Sequence, residues 1–161
     1  MTKYESTIKS NPAPVERVYA KLSDLTNLQV IQERMSDPNF VEAAKAQFGD
    51  KVNPDQLEMI QQRVKEMTFE RDSVTTHIDQ LGADLTLHII EREEPKLVKM
   101  ELLGSPVAAN LWVQLLPGND GGTRMKLTIG ADLNFFIKQM VGKKLKEGVE
   151  RFADMLAMLP Y

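Results

Sequence analysis

Apolar and polar residues alternate through the second half of the chain and then change period near its end. In GTRMKLTIGA (122–131), Met125, Leu127 and Ile129 fall on one face and Arg124, Lys126 and Thr128 on the other. That period of two marks a half-buried strand. From Asn134 the apolar positions recur every three or four residues: Phe136 (or Ile137), Met140, Val141, Leu145, Gly148, Val149, Phe152, Leu156 and Leu159. The spacing predicts a helix of about seven turns laying one apolar stripe, Met140 included, along a large body. Alternation also picks out strands at Met67–Arg71, Ser73–Ile78, Leu85–Glu91, Leu97–Leu103 and Asn110–Leu116. A Leu81-Gly82-Ala83 turn, the charged EREEPK (91–96) and PGNDGG (117–122) separate them. Six consecutive strands on short links predict an antiparallel meander.

Before the meander, Lys3–Ser10 alternates as a first strand, ended by Asn11-Pro12-Ala13-Pro14. Pro14 suits a first helical turn, and Val15, Val18, Tyr19 and Leu22 supply the buried stripe of that helix. Ser23-Asp24 interrupts it and caps a second piece from Leu25 to Arg34, with Leu28 and Ile31 inward. Asp37-Pro38 then opens a helix carrying Phe40, Ala44 and Phe48 and closed by Gly49. Asn53-Pro54, with Gln56 three positions after the Asn, opens another carrying Leu57, Ile60 and Val64. These two helices, near 38–48 and 54–65, either add cover to the body or form a mobile lid. The whole predicts an α+β fold, a curved seven-stranded antiparallel sheet wrapped around the long C-terminal helix. One helical stripe cannot fill such a sheet, so a pocket between the two is expected.

Composition narrows the setting. At 161 residues the chain suits one domain, 1–161, with a core of its own. Lack of cysteine excludes disulfides and thiolate metal sites and fits a reducing compartment. MTKYESTIKS has no apolar signal core, and no run approaches the roughly 20 apolar residues of a membrane span. A cytoplasmic protein without stable membrane insertion is the expectation. A net charge of −3 with interspersed signs offers no basic face for nucleic acid. Nine methionines fill irregular interiors or adapt to ligands of varied shape.

Candidate chemistry is sparse. His77 and His88 sit on neighbouring strands of a hairpin, on the less apolar face, and read as solvent-facing, although pocket-lining or metal-ligating roles stay open. Glu91, Glu93, Glu94 and Glu101 cluster at a charged turn, which argues for a solvated surface over a carboxylate pair in a dry cleft. PGNDGG precedes a strand, not a helix, and so reads as a hairpin turn instead of a phosphate cradle. Serine is absent from any G-x-S-x-G context. Lys138, Lys143, Lys144 and Lys146 either complement Glu147, Glu150 and Asp154 along a solvated helix or meet an anionic surface. Trp112 falls opposite Leu111, Val113 and Leu115, implying a register change or a surface indole.

The order strand, two short helices, meander, long helix resembles the START and birch-pollen-allergen superfamily, also called SRPBCC or polyketide-cyclase-like. YESTIKSNPAPVERVYAKLSDLTNL (4–28) looks like its first strand, helix start and "l-s-D" step, and TRMKLTIGADLNFFIKQMVGKKLKEGVERFADMLAMLPY (123–161) like its final strand and helix in small bacterial members. The helices at about 35–65 look like an elaboration. Gly142-Lys143-Lys144 departs from similar proteins, which often carry proline there, and Gly142 and Gly148 each cost about 1 kcal/mol against alanine. The resemblance implies a helix-grip fold and binding of a hydrophobic small molecule, lipid-like or polyketide-like, without cofactor or metal. Leu85, Leu87, Met100, Leu102, Val113 and Leu127 from the sheet, with Phe136, Met140 and Leu145 from the helix, are the expected walls. It also admits a cyclase or dehydratase, with Tyr4, Tyr19, Ser6 or Arg124 as the polar group, or a heat-shock ATPase activator-like interaction module. No catalytic motif favours an enzyme, and no protein partner is indicated.

Overall fold

The computed structural model describes residues 2–48, 54–78, 82–159 and 161. Strands β1 (Thr2–Glu5) and β2 (Lys9–Asn11) precede helices α1 (Val15–Leu22), α2 (Gln29–Met35), α3 (Pro38–Phe48) and α4 (Pro54–Glu66). Then come β3 (Thr68–Phe69), β4 (Ser73–Ile78), β5 (Ala83–Glu93), β6 (Leu97–Leu103), β7 (Ala109–Pro117), β8 (Thr123–Ala131) and the long α5 (Phe135–Met158). Residues Gly49 and Asn53, expected to bound α3 and α4, and Leu81 of the expected turn lie outside the described residues, as do the side chains of Ile31, Ala44, Phe48, Gln56, Leu57 and Ile60.

The fold is the α+β helix-grip, with one antiparallel curved sheet and the long C-terminal helix. Strand order is β1-β8-β7-β6-β5-β4-β3, with β2 also paired to β8, so the meander is closed by the chain's own first strands. The single first strand expected at Lys3–Ser10 is divided, and Ser6 is the reason. Its N–H donates to the Leu127 carbonyl (2.8 Å), while its hydroxyl accepts from the Leu127 N–H (3.0 Å) and donates to the Thr7 carbonyl (2.8 Å). A side-chain oxygen thus takes one rung of the ladder, and pairing resumes at Lys9 opposite Met125.

Alternation holds along the strands. Val98, Met100, Leu111, Val113, Leu115, Met125 and Leu127 are buried on the face that receives α1 and α5. Trp112 stands on the other face with no register change in β7, half-buried between the ammonium groups of Lys3 (4.9 Å from the ring centroid) and Lys99 (5.4 Å). The second helical piece begins as a 3-10 turn, Leu25–Leu28, whose Asp24 carboxylate accepts from the Thr26 N–H (3.0 Å). Gln32 ties α2 to the end of α4 through the carbonyls of Val64 and Met67, both at 2.8 Å.

Helix α5 packs on β8, β1 and β2. Asn134 caps it, its side-chain oxygen accepting from the Ile137 N–H (2.9 Å), and at the other end the Asn11 amide donates to the carbonyls of Ala157 and Leu159. Gly142, Val149, Ala153 and Leu156 form its buried line, with Ile137, Val141, Leu145 and Phe152 half-buried alongside. The expected stripe is therefore corrected at its start, because Phe136 and Met140 are each 76% exposed. At about 100° per residue, Met140 lies roughly half a turn from both Gly142 and Val149, and Phe136 about a third of a turn from Gly142. The small residues decide which stripe turns inward. A Cβ on Gly142 would sit 2.7 Å from the Tyr4 hydroxyl, so the glycine leaves room for the end of the Tyr4 ring against the helix.

Candidate functional site

An apolar cavity of about 290 Å³ lies between α5 and the inner face of the sheet. Four strands supply one side: Leu87 on β5, Leu102 on β6, Ala109, Asn110 and Leu111 on β7, and Ile129 on β8. Helix α5 supplies the other through Gly148, Val149 and Phe152. Its origin is geometric. Where Gly148 has no side chain, no neighbour comes within 4 Å of where a Cβ would sit, and Leu87, Leu102, Ile129 and Phe152 remain half-buried around the gap.

Of the residues expected as walls, Leu87 and Leu102 line this cavity. Met100, Val113 and Leu127 are buried in the closed core beside it. Leu85 and Leu145 are half-buried but outside its lining, and Phe136 and Met140 face solvent. Leu111, Ile129, Val149 and Phe152 were legible as inward residues from the same alternation and stripe. Period alone gives a face and not a depth, so nothing in it separates the wall of a void from its neighbours in the packed core.

Polar chemistry is placed elsewhere. Asn110 is the polar residue of the lining, and its amide donates to the Met100 carbonyl (3.3 Å). Ser6 is consumed in the β1–β8 ladder, Tyr4 packs on Gly142, and Arg124 is exposed. Tyr19 borders a separate surface groove of about 590 Å³ with Ser23, Asp24, Arg71, Arg92 and Glu94. There Arg92 is committed to the Ser23 carbonyl (3.0 and 2.8 Å) and to the Asp72 carboxylate. His77 meets Asp84 at 2.8 Å on the surface, and His88, half-buried, pairs across β4 and β6 with Ser73 and Glu101. Among the described residues, no three His, Asp or Glu gather where they could hold a metal ion. Nor is any described helix long and apolar enough to cross a membrane.

The architecture is the helix-grip fold, and solved structures share it. The chain is similar to the Aha1 dimer from Colwellia psychrerythraea, with 12% identity over 98% of each chain and a TM-score of 0.53. It is similar also to a protein from Thermobifida fusca, at 11% identity, 98% and 91% coverage and a TM-score of 0.58. DynU16, a putative protein in the dynemicin biosynthetic locus, aligns over 96% of this chain and 45% of its own, at 14% identity and a TM-score of 0.53. At such identities the likeness is one of fold. No family model and no curated protein matches the chain.

Proposed function

We propose that this protein binds a hydrophobic small molecule in the cavity between α5 and the sheet. The carrying observation is the lining itself: about 290 Å³, open to solvent on one side, lined by Leu87, Leu102, Leu111, Ile129, Val149 and Phe152, with the Asn110 amide bonded to backbone. Binding there is driven by desolvation, each buried methylene contributing roughly 0.8 kcal/mol. The volume is at the small end of ligand pockets, typically about 300–1,000 Å³, which favours a short acyl chain or a single aromatic system. Its cellular setting is taken to be the cytoplasm, with residues 1–161 acting as one domain and α3–α4 as an addition to it. The cyclase reading has only Asn110 as a polar side chain on this wall, and its amide is bonded to the Met100 carbonyl, so the binder reading is preferred.

Gly148→Leu tests it. The side chain enters open space on a helix that gains about 1 kcal/mol by losing a glycine, so stability is expected to hold or rise. Wild-type protein should take up an apolar fluorescent probe, and native mass spectrometry after purification should show a bound apolar molecule. Gly148→Leu should lose both. Equal uptake by the two proteins, or none by the wild type, would overturn the proposal.

A further inference from the structure

The first half of α5 exposes what a soluble helix normally hides. Phe135, Phe136 and Met140 are 68%, 76% and 76% exposed, and the two rings pack on each other edge to face, 6.1 Å apart, instead of on the core. Isolated exposed apolar residues are ordinary, but three large ones adjoining on one helical end are not. Around them lie Lys138, Lys143, Lys144 and Lys146, all exposed, with Asp132 and Glu147 as the nearby acids in sequence. This positive end belongs to a chain of net charge −3. Two of the three acids expected to complement the lysines are also spent elsewhere. Glu150 and Asp154 bind Lys9 of β2, at 2.6 and 2.8 Å.

We propose that this end of α5 docks on an anionic lipid surface, the aromatic pair and Met140 entering the boundary of the acyl region while the lysines reach the headgroups. Three observations select a lipid surface as the occupant. Lys143 and Lys144 follow Met140 by three and four residues, so positive charge flanks the apolar knob one turn on, which fits a surface of negative charge. Their long stems cover apolar surface while keeping the ammonium groups at headgroup level. A second copy of the chain would bring four more lysines against these four, which opposes self-association through the same face. The helix also has its outer side available, since its packing is on β1, β2 and β8. The docking does not depend on the cavity being occupied.

The test is flotation of the full chain with vesicles of phosphatidylcholine alone or mixed with phosphatidylglycerol. Wild type is expected to float with the mixed vesicles and not with the neutral ones, and to be released by salt. Two variants are compared: Phe135→Ser/Phe136→Ser/Met140→Ser, and Lys138→Gln/Lys143→Gln/Lys144→Gln/Lys146→Gln. All seven positions are exposed, so both are expected to melt like wild type. Each should reduce the bound fraction about tenfold or more. Absence of flotation with anionic vesicles, or flotation unaffected by the serine variant, would overturn the proposal. So would a concentration-dependent dimer that the serine variant abolishes, which would make this face an interface between copies.

Discussion

Ala153→Asp is expected to destabilise the protein by about 4 kcal/mol or more, whereas Met140→Asp is expected to stay within about 0.5 kcal/mol of wild type. The two positions are on the same helix and carry the same new charge. Ala153 is 0% exposed within the apolar cluster formed with Val149 and Leu156, and a carboxylate there would be buried among aliphatic groups. Met140 is largely in solvent, so aspartate gains water instead of losing it. Urea denaturation of both variants reads the difference directly. A large loss at Met140 with little at Ala153 would show that the helix is rolled by about half a turn from the orientation described.

Lys9→Met should cost about 2 kcal/mol and should also change how stability depends on pH. The ammonium bridges Glu150 (2.6 Å) and Asp154 (2.8 Å), fastening β2 to α5. Glu150 further accepts the Thr7 N–H (2.8 Å) and the Thr7 hydroxyl. Removing the cation strands two partly buried carboxylates about a turn apart, but solvent reaches them, so the loss falls below that of a fully buried pair. Burial works to raise the Glu150 pKa, and the hydrogen bonds from Lys9 and Thr7 outweigh it, drawing it from 4.5 down to about 2. A carboxyl lowered in the folded state stabilises above its unfolded pKa. This contribution is therefore complete above pH 4.5 and is lost as the pH falls toward about 2. For Lys9, burial works to lower the pKa, but hydrogen bonds to Asp154 and Glu150 raise it above 10.5, so its share is complete below 10.5 and is lost at higher pH. Denaturation midpoints measured down the acid range should fall less steeply in Lys9→Met than in wild type. Parallel acid limbs would show that the Lys9 cluster does not contribute in this way.

The Lys9 cluster illustrates what the linear chain conceals. Glu150 and Asp154 are four residues apart on a helix that also carries Lys143, Lys144 and Lys146, so local spacing favours pairing within α5. The actual partner is 141 residues away in sequence from Glu150. It is chosen because β2 pairs with β8, and β8 lies under the helix. The same remoteness explains the misplaced Phe136 and Met140. The start of α5 carries apolar residues on more than one side, and local periodicity cannot weigh Ile137 and Val141 against them without knowing that Tyr4 comes to rest on Gly142.

By itself, the sequence determined which segments are strands and which are helices, the cap at Asp24, the change of period at Asn134, the hairpin at 117–122 and the inward face of nearly every strand. These follow from interactions between near neighbours: a period of two or of about 3.6, a side-chain oxygen one turn from an amide, a glycine in a tight turn. Tertiary structure alone decided which stripe of α5 is buried, that Ser6 divides the first strand, that Lys9 holds Glu150 and Asp154, and where the inner face stays open. Each depends on the distance between groups far apart in the chain, and that distance is set by how closely two surfaces pack. The cavity is the clearest instance, for it exists where Gly148 on the helix passes over leucines of the sheet without reaching them.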